Sequence, residues 1–457
     1  MKRIIYFVLL VIVCIGCSLD LPVEDQITGL DAIDNVATAN ESLSGIYNEF
    51  PVDRITFSKL GDDLYPNHTI DDNLSDYNLY KWSPKELVFL SNGLWSEYYS
   101  LNTKSNVLLR VLPSIISNTE NETRELRYIK AQTLCLKAYA YFELAQLYCK
   151  NYSQTTKNDF GIVLKDKIAS DELPRSTLEE SFKAIEKLLL EAISLFPDEN
   201  TTNVRFSKNS AKALLAKLYF NWQKYQEAID LCTELINKYP LQKEELNTVW
   251  LSPFNNNEAL LAFERKSFYY SSIYDDTENN DEYYVNFNIT YSTNDTRLSN
   301  SFIPKDFRLL NNTIIKVNFL NKYRNNLIEK NITPVVMIRT AEFYFIKAQS
   351  LVALKNEQKA KEVINKLLTI RETTLITSSG ESFFSDLLKE KQKEFLGEGN
   401  RYFDLKQNQL SLSRVNDTDN SHLFTITPDD YRWLLPIPQI ELSDNKAIKD
   451  QQNPNWN

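Results

Sequence analysis

The sequence predicts an all-α fold, an array of stacked helical hairpins with a loop-rich, irregular second half. Three observations carry that expectation. Apolar residues recur at 3- and 4-residue spacing in several long segments, which is the helical period. One stretch, Asn209 to Pro240, reads as two such segments joined by a short turn. Two other regions, 55–85 and 251–335, abandon the period for Asn, Asp, Ser, Thr and Tyr.

In the hairpin, Leu215, Ala216 and Tyr219 share one face of the first helix. After a turn at Gln223–Lys224, Tyr225, Ala228, Cys232 and Leu235 share one face of the second. Pro240 closes the unit, because proline cannot continue a helix interior. These offsets fall in the register of a tetratricopeptide hairpin, although any amphipathic hairpin shares part of the pattern. Ala216 and Ala228 are short enough to let two helices approach closely. A lone hairpin cannot bury its apolar face, so neighbours must stack on it. Ala348, Leu351, Ala360, Ile364 and Leu367 repeat the register as a weaker second copy.

A chain of 457 residues has room for two or three domains or one long array. Its net charge of −10 comes without any basic run, which argues against a nucleic-acid partner. At the N-terminus, Lys2 and Arg3 precede an apolar run from Ile4 to Ile15, too short to span a membrane and suited to a signal-peptide core. A small residue before a cysteine, Gly16-Cys17, resembles a bacterial lipobox. Residues 1–16 are then a signal peptide, Cys17 is lipidated, and 17–30 form a tether. An ordinary secretory signal with a chance cysteine is the competing reading. Cys135, Cys149 and Cys232 lie in helical patterns without framework spacing and read as buried free thiols.

Taken in order, Ile33, Val36, Leu43, Ile46 and Tyr47 mark a first helix. Leu87–Val111 and Glu122–Tyr148 are long helical runs, the second apolar over a broad face. Ser176 with Glu179 forms a capping box ahead of a helix that stops at Pro197. Glu258–Arg265 and Ile314–Phe319 are compatible with short strands; helix resumes after Pro334, and the tail from Ser411 reads as loop. This divides the chain into a helical region 31–250 with an inserted ligand loop 55–85, a loop-rich ligand-binding insertion 251–335, a helical region 336–410 completing the array, and an irregular segment 411–457.

Specific motifs run along nearly the whole chain. They include Leu43-Ser44-Gly45-Ile46-Tyr47-Asn48, Trp95-x-x-Tyr98-Tyr99 and Ala138-Tyr139-Ala140-Tyr141-Phe142-Glu143-Leu144. Leu173-Pro174-Arg175-Ser176-Thr177-Leu178-Glu179-Glu180 and Arg339-Thr340-Ala341-Glu342-Phe343-Tyr344 follow. The strongest are Gly397-Glu398-Gly399-Asn400-Arg401-Tyr402-Phe403-Asp404-Leu405-Lys406 and Leu434-Leu435-Pro436-Ile437-Pro438-Gln439, with Gln452-Asn453-Pro454 beyond. In these the chain resembles the SusD/RagB family of nutrient-binding outer-membrane lipoproteins of Bacteroidetes. It departs at Cys149, where members usually carry Gly, at Gln349 for Glu, and at Gln407 for Arg. The resemblance implies a lipid-anchored, cell-surface protein of the outer membrane. Such a protein binds a glycan or oligosaccharide without catalysis and delivers it to a SusC-like TonB-dependent transporter. A peptide or other non-sugar nutrient, or a tetratricopeptide scaffold for a protein partner, are the alternatives.

The residues themselves supply no catalytic signature. His68 and His422 are the only histidines, and there is no phosphate loop, nucleophile elbow or metal-spaced Cys/His pair, so no enzyme, cofactor or metal is expected. The acidic run from Asp71 to Asp76 lacks the pattern of a calcium loop and reads as solvated. A sugar asks for exposed ring faces and fixed polar groups beside them. Two loops carry both: Asp63, Tyr65, Tyr77, Tyr80 and Trp82 in the first, and Tyr269, Tyr270, Tyr274, Tyr283 and Tyr284 in the second. Trp95 and Trp222 read as packing residues, and Arg371, Arg401 and Asp404 as structural ion pairs or caps.

Overall fold

The computed structural model describes residues 32–456 except 67–74, 168–171, 198–202, 244–245, 247, 267–282, 309–312, 323–331 and 417–420. Cys17 with the signal and tether, Tyr269, Tyr270, Tyr274 and the acids at 71–72 therefore lie outside the described residues. Among the described residues, no helix is long and apolar enough to cross a membrane.

Helix α1 (Val36–Asn48) starts on an Asn35–Thr38 capping box and buries Ala39, Leu43, Ile46 and Tyr47. The stretch read as an inserted loop instead holds α2 (Ile55–Leu60), β1 (Leu64–Pro66) and α3 (Ser75–Tyr80). Two long helices follow, α4 (Pro84–Val111) and α5 (Glu120–Tyr148), the latter capped by Thr119 with Glu122. Helix α6 (Leu178–Leu195) is capped one residue later than the sequence suggested, by Thr177 with Glu180. Ser176 is occupied elsewhere: its hydroxyl donates to Ile162 O at 2.9 Å.

The predicted hairpin is α7 (Lys208–Asn221) and α8 (Tyr225–Lys238). A second hairpin comes later as α10 (Ala341–Ala353) and α11 (Glu357–Ile370), after the short α9 (Thr296–Ser301). Both turn in the same way. Gln223 (φ 61°) and Lys355 (φ 62°) take the left-handed conformation just past the first helix. The next amides, of Lys224 and Asn356, then donate to Tyr219 O and Leu351 O at 2.9 and 2.8 Å. The helices stack in sequence: α5 on α4, α6 on α5, α7 on α6, α8 on α7, and α10 on α8. Helices α12 (Gly380–Glu394), α13 (Arg401–Gln407) and α14 (Gln439–Asp444) complete the set.

The all-α expectation needs correcting. Eight strands form four two-stranded antiparallel sheets among the described residues. Besides β1 they are β2 (Ala259–Lys266), β3 (Tyr283–Val285), β4 (Phe302–Arg308), β5 (Ile314–Leu320), β6 (Ile332–Arg339), β7 (Leu412–Val415) and β8 (His422–Ile426). The pairs are β1–β3, β2–β6, β4–β5 and β7–β8. The segments of β2 and β5 match expected strands. Strand β6 instead carries Pro334–Arg339, expected as helix, which resumes only at Ala341. Strands β7 and β8 pair within the tail expected as loop. The three-residue strand β1 exists because β3, more than 200 positions away in sequence, supplies its hydrogen bonds.

Between the second hairpin and the strands lies a buried charge cluster. Arg371, fully enclosed, bonds Glu258 and Glu394; Arg339 bonds Glu258, Glu394 and Glu398 at 2.7–2.8 Å. Arg297 adds Asp295 and Glu390 at 2.6 and 2.8 Å. The neighbouring guanidinium groups hold the Glu394 carboxyl well below its usual range despite burial. Arg401 pairs with Asp62 and Asp404 with Lys391, so the structural reading of these charges holds. Gly399 has φ 76°, and a Cβ there would meet Arg54 O at 2.4 Å. At the C-terminus, Asn453 donates to Tyr148 O and Leu435 O, while Arg175 reaches Asn453, Gln451 O and Gly161 O. The tail motif is thus a clasp across the ends of α5 and α6.

Candidate functional site

The rings expected to face solvent turn inward. Tyr65 lies opposite Tyr284 and Pro66 opposite Tyr283 in the β1–β3 pair. Tyr77 stacks on Tyr80 at 6.1 Å, and the Arg414 guanidinium sits 4.3 Å above the Tyr80 ring. Trp82 meets Trp433 edge to face at 4.6 Å and donates its indole N–H to Leu60 O at 3.1 Å. All seven described members of the predicted set, Asp63, Tyr65, Tyr77, Tyr80, Trp82, Tyr283 and Tyr284, are buried. As a shared open binding surface that set is corrected: these side chains are core. Asp63 accepts from Gly397 N and Gln392 Nε2, each at 3.3 Å. Burial, with Asp62 alongside, pushes its carboxyl up to about 7.

An open hollow of about 670 Å³ lies elsewhere, within the range of small-ligand clefts. The C-terminal ends of α5, α7 and α10 converge on it, and α13 with the loops 150–156 and 428–434 closes its sides. Three helix ends leave carbonyls in need of donors. Lys406 of α13 supplies one set: its buried ammonium donates to Cys149 O at 3.1 Å and to Gln146 O. Desolvation lowers that lysine to about 8. Asn151 Nδ2 donates to Lys406 O at 2.7 Å and Gln223 Nε2 to Tyr152 O at 3.0 Å, so the loop after α5 is tied to two other elements.

Eight aromatic residues line the hollow: Tyr152, Phe182, Phe220, Tyr225, Phe384, Phe403, Tyr431 and Trp433. Tyr225, Phe384, Phe403 and Tyr431 keep part of their surface exposed. Nine Asn and Gln side chains share the wall with four charged ones, Lys150, Lys406, Asp429 and Asp430. Such a wall offers ring faces to C–H surfaces and amide donors and acceptors to hydroxyls. A second, shallower hollow of about 370 Å³ continues past Tyr152, Gln223 and Tyr225 to Trp222 and Glu179. There Tyr152 Oη and Trp222 Nε1 both donate to Glu179, at 2.6 and 3.1 Å. Among the described residues, no group of three or more His, Cys, Asp or Glu is placed to hold a metal ion.

Sequence reasoning missed the groove because no single stretch carries it. Its rings come from helix ends and loops spread between residues 152 and 433. The one available signal was the Gln223–Lys224 turn, which brings Phe220 and Tyr225 to the same end of a hairpin.

Solved structures share the architecture. A SusD superfamily protein from Bacteroides thetaiotaomicron matches with TM-score 0.76 and 23% identity, over 92% of this chain and 100% of that one. A SusD-like carbohydrate binding protein from Bacteroides vulgatus matches with TM-score 0.73 and 18% identity, over 91% and 97%. A laminarin binding SusD-like protein matches with TM-score 0.66 and 19% identity, over 93% and 100%. At these identities the likeness is one of fold. No curated protein matches the chain. Residues 21–220 match the family model described as starch-binding associating with outer membrane. Residues 137–456 match that of the SusD family, and the chain belongs to it.

Proposed function

We propose that this protein is a lipid-anchored glycan-binding component of the outer membrane. Held by an acylated Cys17, it captures an oligosaccharide at the cell surface without chemically altering it and passes it to a SusC-like TonB-dependent transporter. The observation that carries the reading is the groove, where eight rings and nine amides surround about 670 Å³ at the ends of α5, α7 and α10. Sugars present alternating apolar C–H faces and hydroxyl edges, and this wall has a partner for each. Supporting it are the starch-binding description of the family matched by residues 21–220 and the carbohydrate- and laminarin-binding neighbours. Transport and anchoring rest on the family resemblance and the Gly16-Cys17 motif.

Calorimetry on the detergent-solubilised full chain tests the binding. Heat with at least one oligosaccharide and none with mixed peptides is the expected result. Peptide binding with no response to any glycan overturns the reading. Mass spectrometry of the purified protein for an acylated Cys17 tests the anchor. Co-purification of a barrel protein from native membranes tests the partner.

A further inference from the structure

The glycan-binding reading leaves the kind of sugar open, and the charges around the groove narrow it. We infer that the groove takes an uncharged oligosaccharide and discriminates against acidic ones. This rests on the proposed function and adds a substrate class to it.

Recognition of a uronate or sulfate needs a cation free to meet it, most effectively a two-pronged arginine. No arginine lines the main hollow among the described residues, and its two lysines are engaged. Lys150 pairs with Asp159 at 2.8 Å, and Lys406 is enclosed with its protons on main-chain carbonyls. The adjoining hollow repeats the arrangement: Lys224 pairs with Glu186 at 2.8 Å and Lys183 with Glu179 at 3.1 Å. Two carboxylates remain at the main wall. Asp430 is held by both prongs of Arg432, at 2.9 and 2.7 Å, whereas Asp429, exposed, accepts from the Thr427 hydroxyl, pairs with no cation among the described residues and faces an incoming anion.

Taking a charge from water without a counter-charge is costly, and placing it near a carboxylate adds repulsion. Hydroxyl groups meet no such penalty, because neutral amides dominate the polar wall. One of these amides is mostly buried. Gln349 is 4% exposed, and its Oε1 accepts from Lys391 Nζ at 3.1 Å. Its Nε2, enclosed behind the wall, has no partner among the described residues.

The test titrates the detergent-solubilised full chain with maltohexaose, laminarihexaose, cellohexaose and xylohexaose on one side, and with hexameric oligogalacturonate and a hyaluronan hexasaccharide on the other. At least one neutral hexamer should bind at least tenfold more tightly than either acid. Tyr225→Ala should weaken that binding about tenfold. Asp429→Lys, at an exposed site that leaves the fold intact, should narrow the gap toward oligogalacturonate at least threefold. An acidic hexamer binding as tightly as every neutral one overturns the inference. Neutral binding indifferent to Tyr225→Ala, Tyr431→Ala and Asp429→Lys overturns it too, by placing the sugar outside the groove while the glycan reading stands. Silence toward all six oligosaccharides would instead sink the glycan reading itself.

Discussion

The β1–β3 region and the groove contain the same kind of side chain and put it to opposite uses. Around β1 and β3, rings cluster in two ring-rich stretches, and every described one of the predicted set is buried against another ring, a cation or backbone. At the groove, rings come from separate helices and loops that converge on a gap, and Tyr225, Phe384, Phe403 and Tyr431 keep part of their surface open. Ring density along a sequence therefore measures how much apolar surface a region must hide. It does not measure how much it offers.

The largest test of this contrast is Trp82→Ala. The indole is fully enclosed, packs on Trp433 and Tyr402, and bonds Leu60 O. Removing it leaves a cavity, at a cost of about 3–5 kcal/mol, although Leu60 O keeps its bond from Arg414 Nη2 at 2.7 Å. Denaturant unfolding should show that loss, while the fraction still folded loses less oligosaccharide affinity than a groove-ring variant does, any change passing through Trp433. Lost affinity in a fully stable variant would restore Trp82 as a ligand contact and erase the contrast.

Asp63→Asn probes the same buried side through pH. Its carboxyl titrates near 7 in the fold, above the unfolded value of 3.8, because burial and Asp62 disfavour its charge. The folded protein therefore holds a proton there that the unfolded chain has released. This contribution to stability is full below about pH 4 and is lost as pH rises through about 7. A shift of roughly three units corresponds to an upper bound on the order of 4 kcal/mol. Asparagine mimics the neutral acid, so Asp63→Asn should be more stable than the parent at pH 8, by about 1–2 kcal/mol. The two should converge at pH 4. Equal unfolding midpoints at both pH values would show that Asp63 is solvated.

On the groove side the balance reverses. The Tyr431 ring packs edge-on against Trp456 at 4.9 Å but stays partly exposed. Tyr431→Ala should cost about 2 kcal/mol of stability, less than a fully enclosed ring, since part of its surface stays in water. It should lower oligosaccharide affinity about tenfold, close to the worth of one stacked ring. Calorimetry beside thermal unfolding separates the two effects. A stability loss as large as that of Trp82→Ala would make the groove another piece of core.

What could be read from the sequence follows from the same physics. Helical period is local, so α4 to α8 and both hairpins were legible, as were the buried thiols of Cys135, Cys149 and Cys232. Strand pairing is not local: nothing in Leu64-Tyr65-Pro66 announces a partner at Tyr283–Val285. Inward or outward direction of a ring is decided by such partners, which is why the candidate set fell in the core. The groove was illegible for the complementary reason. It is a gap among helix ends, and Gln349, Phe384 and Tyr431 meet there only after the hairpins have stacked. The charges of the Gly397–Lys406 motif are structural in the fold too, as the Arg401–Asp62 and Lys391–Asp404 pairs make plain.

The smallest expected effect bears most directly on the ligand. Lys150 and Asp159 form a pair at 2.8 Å with side chains 52% and 36% exposed, where water and salt screen most of the attraction. Lys150→Gln should therefore change stability by less than about 0.5 kcal/mol. Its effect on binding separates two kinds of groove. If the occupant is uncharged, the lost ammonium removes nothing it used, and glutamine adds one more amide to a wall already made of them. Affinity then stays within about twofold at low and at physiological salt. A ligand carrying carboxylates would draw on Lys150 by releasing it from Asp159. The substitution would weaken that ligand several-fold at low salt and much less at high salt, because the lost attraction is the screened one. Titrating the neutral and acidic hexamers against this variant at two ionic strengths thus reads the charge of the occupant from a site that plays no part in holding the protein together.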